Sequence, residues 1–297
     1  MLSQELRLLH VHAHPDDESS KGAATTAYYR HQGVQVMVAT CTGGERGSIL
    51  NPKMDTPENQ ANLAEIRKNE MARAAEILDI QQVWLGFEDS GFPDPDDPAP
   101  LDPGVFAAQD VDVAAGRLVR VIREFRPHVV TTYNERGGYP HPDHIMTHKI
   151  TVAAVAAAAD QAAWPEHGEP WEVSKLYYDV VFHRRRWAAL DEAMHERGMG
   201  RPYAERLSEV PRDPEEQSRL TTFIPCGDFF DVRDKALLAH ATQVDPDGSW
   251  FAVPTEIQRI GWPTEDYQLV WSKVPTRVPE TDLFAGLRHD PADDYSI

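Results

Sequence analysis

Leu6-Arg7-Leu8-Leu9-His10-Val11, continued after two residues by His14-Pro15-Asp16-Asp17-Glu18, is the stretch that decides how this 297-residue chain is read. Its first half is a short apolar run of the kind that forms a buried strand, and the chain then turns through Pro15 into an amphipathic segment predicted as one helix over 19–31. In open α/β sheets, ligands bind outside the carboxyl ends of the strands. The polar residues after this strand therefore stand where a site belongs. His14 and Asp17, one tight turn apart, can converge on a single ion. A second cluster far downstream, His141-Pro142-Asp143-His144, supplies His144 as a third ligand from the start of a helix predicted to run to residue 163. Two imidazoles and one carboxylate leave a divalent cation with open positions, which indicates catalysis in place of scaffolding.

Spacing also assigns roles. Asp16 points away from the ion and stays within reach of the water it would activate, so it is the candidate general base. His141 is the candidate acid or oxyanion donor. Asp143 orients His141 or His144, or else caps the helix. A bound metal brings the pKa of water to about 7, and an adjacent carboxylate can take the remaining proton during attack on a carbonyl. The chemistry implied is hydrolysis. Taken singly, Asp16, Asp17 or Ser19 would be a helix cap. His144 with His148 forms an i, i+4 pair like that of the zincins, but Ile145 stands where their Glu would be. His10 and His12 share the face of His14 and read as packed or supporting residues.

Strand-like and helix-like segments alternate along the chain: strands over 34–42, 82–87 and 128–133, helices over 64–78 and 111–125. In the helix over 64–78, Met71, Ala74, Ala75 and Leu78 recur at helical spacing, while Glu65, Lys68, Arg73 and Glu76 lie on other faces. The fold class is α/β, a Rossmann-like, mostly parallel sheet with flanking helices and a smaller C-terminal portion. Residues 1–170 are expected to form the metal-binding catalytic domain, and 171–297 to complete the fold and the substrate pocket. Beyond 170, a strand over 174–183 and helices over 187–196 and 231–242 are readable, but the remainder gives no topology. The Pro- and Asp-rich stretch 93–103 reads as a solvated loop near Asp89, with the rim of a pocket as the alternative.

The chain carries 48 acidic and 29 basic residues, a formal net charge of −19. Such a surface repels phosphate backbones, so nucleic acid is not an expected partner. No apolar run approaches the roughly 18 residues of a membrane span, and the amino terminus lacks the basic and apolar regions of a signal peptide. A cytoplasmic enzyme is expected. Cys41 and Cys226 are too few for a disulfide framework, and Cys41 reads as a buried core residue.

The pair of segments at 14–18 and 141–144 resembles the LmbE-like, N-acetylglucosaminyl-phosphatidylinositol deacetylase superfamily of zinc hydrolases. Residues 12–22, 42–47 with Asn51-Pro52, 85–87, 89–91, 137–144, 239–243 and 262–265 are similar to the branch that cleaves mycothiol S-conjugates. The resemblance implies an LmbE-like fold and one zinc per chain on His14, Asp17 and His144, a ligand set that also suits Fe(II). It further implies Asp16 as base, and His141 with Tyr139 assisting the tetrahedral intermediate. Arg67 and Asp89 match polar positions that bind a glucosaminyl-inositol moiety. Lys21 stands where the amidases carry Lys. Asn134 and Arg136 depart from the amidase pattern. The activity implied is hydrolysis of a small-molecule mycothiol S-conjugate to a mercapturic acid and glucosaminyl-inositol. The alternatives are deacetylation of N-acetylglucosaminyl-inositol and non-catalytic glycoside binding.

Overall fold

Every residue after Arg7 in the first strand is buried, as expected of a parallel strand covered on both faces. The computed structural model describes residues 5–93 and 100–288. Among them lie, in chain order, β1 (Arg7–His12), α1 (Asp17–Ser20), α2 (Ala23–His31), β2 (Gln35–Thr42), α3 (Pro57–Ala61), α4 (Leu63–Leu78), β3 (Gln81–Phe87), α5 (Val111–Phe125), β4 (Val129–Thr132) and α6 (Pro142–Ala158). There follow β5 (Lys175–Asp179), α7 (Arg184–His195), α8 (Ala204–Glu209), α9 (Glu216–Arg219), β6 (Thr222–Ile224), α10 (Phe230–Ala239), α11 (Thr255–Gly261) and β7 (Glu265–Ser272). The strands form one seven-stranded sheet in the order β3-β2-β1-β4-β5-β7-β6. The first five are parallel, and β7 runs antiparallel to both its neighbours. The α/β class read from the sequence is the one observed. The sheet continues through residue 170 without a break, because Lys175 pairs with Val129 of β4.

Chain order reverses at β1, which leads to β2 on one side and has β4 as its other neighbour, with Leu8 opposite Val129 and His10 opposite Thr131. A crevice opens at such a switch point, and both ligand clusters leave the sheet there. Leu9 and Val11 pack toward α5 and α6 with Leu118, Ile122 and Ile150. Leu8 packs on the other face with Val36, Val129, Tyr29 of α2 and Phe230 of α10. His10 shares that second face, bonded to Thr131 at 2.7 Å and to Thr26 of α2 at 3.0 Å. It is a packed residue. Cys41 and Cys226 are buried free thiols.

The structure departs from the sequence reading in several elements. The expected helix over 19–31 is two helices, because Gly22 takes φ 102° between them and a Cβ there would lie 2.9 Å from the Tyr267 hydroxyl. The new amino end of α2 is capped from far away: Glu265 of β7 accepts from Thr25 N at 2.7 Å and Ala24 N at 3.3 Å. The helix expected to reach residue 163 ends at Ala158. Arg123 of α5 donates to the carbonyls of Ala157, Ala158, Asp160, Ala163 and Trp164, so this stretch bends around a guanidinium in place of extending its ladder. The strand expected to reach 183 ends at Asp179, and α7 begins earlier than expected, capped by His183 accepting from Arg186 N. Of the loop 93–103, residues 94–99 lie outside the described residues. No helix among the described residues is long and apolar enough to cross a membrane.

Candidate metal centre

The turn after β1 holds Asp16 at φ 106°, a backbone conformation that Asp and Asn visit more readily than other side-chain-bearing residues. Asp17 is thereby folded back toward the strand end. Its Oδ2 accepts from His14 N at 3.0 Å and from the Tyr133 hydroxyl at 2.6 Å, and Oδ1 accepts from Lys21 Nζ at 2.5 Å. The Tyr133 hydroxyl also accepts from Ala13 N at 2.8 Å, which ties the end of β4 to the end of β1.

Around Asp17 Oδ2 stand His14 Nδ1 at 3.6 Å and His144 Nε2 at 3.5 Å. The three donor atoms lie within 4.8 Å of one another and could hold a metal ion. Hydrogen bonds set the tautomers. His14 Nε2–H donates to Asp143 Oδ2 at 3.2 Å, which leaves Nδ1 facing Asp17; burial would lower this ring, but Asp143, Asp17 and Asp89 outweigh it and hold it well above its ordinary value, so a cation at Nδ1 would displace a proton. His144 Nδ1–H donates to the Gly137 carbonyl at 2.9 Å, leaving Nε2 buried with no hydrogen-bond partner among the described residues. A buried lone pair facing a carboxylate is unfavourable in bare protein, and a cation satisfies both groups. Burial also pulls His144 down to about 3, which keeps the ring in its neutral, ligating form. Burial would raise Asp17, but Lys21, His144 and His14 outweigh it and hold the carboxyl well below its ordinary range. Gly137 (φ 74°) permits the close approach: a Cβ there would lie 2.7 Å from His144 Cβ.

A second group that could hold an ion, His14, Asp89 and His141, was not anticipated. It uses the opposite edge of the His14 ring, with Nε2 3.5 Å from Asp89 Oδ1. Asp89 already accepts from Arg46 N at 2.9 Å and Gly91 N at 3.0 Å. His141 Nδ1 accepts from Asp143 N at 3.1 Å and caps α6. Its proton is therefore on Nε2, and burial, then the nearby His14, lowers the ring to about 4.

The Asp143 carboxylate does not face His141 or His144, nor does it cap α6, as had been expected. With His141 occupying the cap, Asp143 turns back to accept from His14 and from the backbone and hydroxyl of Ser90. Asp16 has a side chain 25 % exposed, with Oδ2 3.5 Å from Arg67 Nη2. Desolvation raises its pKa against the pull of Arg67. Tyr139 is 42 % exposed at the rim, its ring 4.6 Å from that of His144, and burial keeps the hydroxyl protonated. His148 bonds the Tyr133 carbonyl at 3.1 Å and belongs to neither group.

The three residues expected at the substrate are engaged with protein groups. Arg67 is buried, donating to the carbonyls of Gly44 and Pro15 at 2.9 and 2.6 Å. Neither a helix-surface ion pair nor a free guanidinium describes it, because it shares the buried face of α4 with Met71 and Ala74. Lys21 sits on Asp17 and Ser20, though it also borders a cavity of about 490 Å³ walled by Tyr133, Asn134, Asp179, Phe182 and Trp187. The sequence reading missed the buried pair Glu18 and His240, 2.6 Å apart, through which Asp16 N is held at 3.0 Å from Glu18 Oε2. Their signal was the third acid in Asp16-Asp17-Glu18, which neither the ion nor the water required.

A profile of the PIG-L family, described as GlcNAc-PI de-N-acetylase, matches residues 9–155. The chain is 56 % identical over 290 residues to a mycothiol S-conjugate amidase of Streptomyces coelicolor, covering 97 % of this chain and 99 % of that protein. It is 40 % identical over 291 residues to a 1D-myo-inositol 2-acetamido-2-deoxy-alpha-D-glucopyranoside deacetylase of Streptomyces avermitilis, covering 95 % and 97 %. Among solved structures, the N,N'-diacetylchitobiose deacetylase of Pyrococcus horikoshii is similar in fold, with a TM-score of 0.61, 16 % identity, and coverage of 90 % of this chain and 84 % of that one.

Proposed function

The chain belongs to the GlcNAc-PI de-N-acetylase family of amide-bond hydrolases, and from that premise we propose that it is a zinc-dependent amidase of mycothiol S-conjugates, with His14, Asp17 and His144 as ligands. The observation that carries the metal reading is the buried, unpartnered Nε2 of His144 beside Asp17. The alternative group built on Asp89 is the poorer fit, since Asp89 already accepts two backbone hydrogen bonds and the Nε2 proton of His14 is directed to Asp143. An N/O site performing redox-free hydrolysis suits zinc, although Fe(II) accepts the same ligands.

When bound, the ion supplies a Lewis acid for the amide carbonyl and lowers the pKa of the attacking water. Asp16, partly exposed and with a raised pKa, accepts the proton of that water and passes it to the departing amine nitrogen. His141, whose proton lies on Nε2 because Nδ1 caps α6, donates a hydrogen bond to the oxygen that becomes negative. The Tyr139 hydroxyl adds a second donor from the rim. Water and the conjugate give a mercapturic carboxylate and the free amine of glucosaminyl-inositol. Asp143 and Ser90 hold His14 in orientation.

The choice of a bulky S-conjugate over an acetyl group rests on the full-length similarity to the amidase, which exceeds that to the deacetylases. A non-catalytic binder would need neither Asp16 nor His141. Both substrates should be assayed on one preparation of known metal content. The amidase reading requires a higher kcat/KM for the S-conjugate, a higher value for the acetyl substrate would favour the deacetylase, and no turnover of either would leave the binder.

A further inference from the structure

Behind the corner between β5 and α7 lies a second cavity of about 240 Å³, reached from Ser20 on one side and walled by Phe182, Arg186, Trp187, Tyr203, Arg206 and Trp250. Phe182 and Trp187 also wall the larger cavity beside Lys21 and Tyr133, so the two spaces share a partition next to the metal centre.

The smaller cavity is lined by three guanidiniums, those of Arg186, Arg206 and Arg233, and by one carboxylate, that of Glu265. Arg186 makes no hydrogen bond or ion pair through its guanidinium with any described residue, and only its backbone N–H is engaged, with His183. The acids nearest to it are already occupied. Glu265 caps α2, and Asp266 accepts from Trp262 Nε1 and Thr264 while facing His183 at 2.8 Å. Arg233, the second guanidinium at the wall, is paired with Asp234. Arg206 lies 4.2 Å over the Trp187 ring and has no carboxylate partner among the described residues. In a chain of net charge −19, this is a local concentration of positive charge. Asp266 and Glu265 act on Arg186 from a distance, but its guanidinium donors have no acceptor among the described residues, and a cleft lined by more cations than carboxylates attracts an anion. Phe182 and Trp250, with ring centroids 5.7 Å apart, add an aromatic surface at the same mouth.

We propose that this cavity binds an aromatic organic anion, carried by the substrate as the substituent on sulfur, with Arg186 as its counter-ion and Phe182, Trp187 and Trp250 against its ring. This rests on the amidase reading for the substituent's identity, but not for the binding site itself. The chemical class is a carboxylate or sulfonate on an arene. A charge-assisted hydrogen bond in such a setting corresponds to roughly tenfold or more in affinity.

Binding of 1-naphthalenesulfonate and of neutral 1-naphthol can be followed by quenching of tryptophan fluorescence in the wild-type protein, Arg186→Met and Arg186→Lys. The wild type is expected to bind the sulfonate at least about tenfold tighter than the naphthol, with the preference lost in Arg186→Met and partly kept in Arg186→Lys. Equal affinities in the wild type, or a preference that survives in a folded Arg186→Met, overturns the proposal. In turnover, kcat/KM for an S-(4-carboxybenzyl) conjugate should exceed that for the S-benzyl conjugate, and the ratio should collapse in Arg186→Met. If neither conjugate is hydrolysed, the amidase reading fails while the fluorescence measurement still decides the anion site.

Discussion

Replacing Asp16 by Asn removes a charge and almost nothing else. The side chains are isosteric, and Asn shares with Asp a tolerance for positive φ, here 106°. Arg67 loses a contact at 3.5 Å but keeps its hydrogen bonds to the Gly44 and Pro15 carbonyls, so the turn stays anchored. Asp16→Ala would be a worse experiment, because it adds backbone strain of about 1 kcal/mol to the chemical loss. Removing a general base typically lowers turnover by about 10²- to 10⁴-fold, or roughly 3 to 5 kcal/mol of transition-state stabilisation. The measurements are kcat/KM on the S-conjugate and metal per chain on the same sample. The expected outcome is a rate loss in that range with metal content unchanged, since Asp16 is in neither ligand group. Hydrolysis at the wild-type rate would refute the base assignment. Loss of metal in proportion to activity would instead make Asp16 a ligand.

His144→Ala should strip the ion from a protein that still folds, seen as metal per chain near zero after dialysis; full retention would point to the group built on Asp89 and His141. Asp143→Asn weakens the hydrogen bond that orients His14 and should lower metal affinity about 10- to 100-fold in chelator competition, and unchanged affinity would deny it that role. Arg123→Met leaves several carbonyls without a donor and should cost about 3 to 5 kcal/mol in urea unfolding, whereas a loss below about 1 kcal/mol would mean that water replaces the guanidinium. His10 is buried and lowered from 6.5 to about 3, by burial first and then by His12. The unfolded chain therefore binds the extra proton between those values, so the contribution of His10 is complete above about pH 6.5 and falls by about 1.4 kcal/mol per pH unit toward pH 3. His10→Gln should flatten the acid limb of stability against pH, and an unchanged slope would contradict this.

Strands β1, β2 and β4 were legible because strands buried on both faces are short apolar runs, and α4 and α5 because each carries one apolar stripe. Boundaries failed where a distant residue ended an element. Nothing within 142–163 announces that Arg123 gathers its carbonyls, and nothing within 19–31 announces Glu265, although Gly22 was a local warning. The C-terminal strands escaped because β6 is only three residues long and β7 pairs antiparallel at the far side of a parallel sheet. In the site, proximity in sequence was enough to gather His14, Asp16 and Asp17. The partners of those residues were not readable: Lys21 on Asp17, Tyr133 on Asp17 and Asp143 on His14 are set by the turn of the chain and by the packing of β4 beside β1.

Glu265 caps α2 from 240 residues downstream, and His240 reaches Glu18 across 222. During synthesis the first ligand turn emerges from the ribosome long before either. Until they arrive, Glu18 has no imidazole to meet its charge and the first amides of α2 lack their carboxylate, so the turn that aims Asp16 and Asp17 rests on Tyr133, Lys21 and Arg67 alone. A polypeptide cut at residue 170 would carry His14, Asp17 and His144 with the Tyr133, Lys21 and Arg67 contacts on their turn but neither Glu265 nor His240, and is expected to hold a divalent ion more weakly than the whole chain.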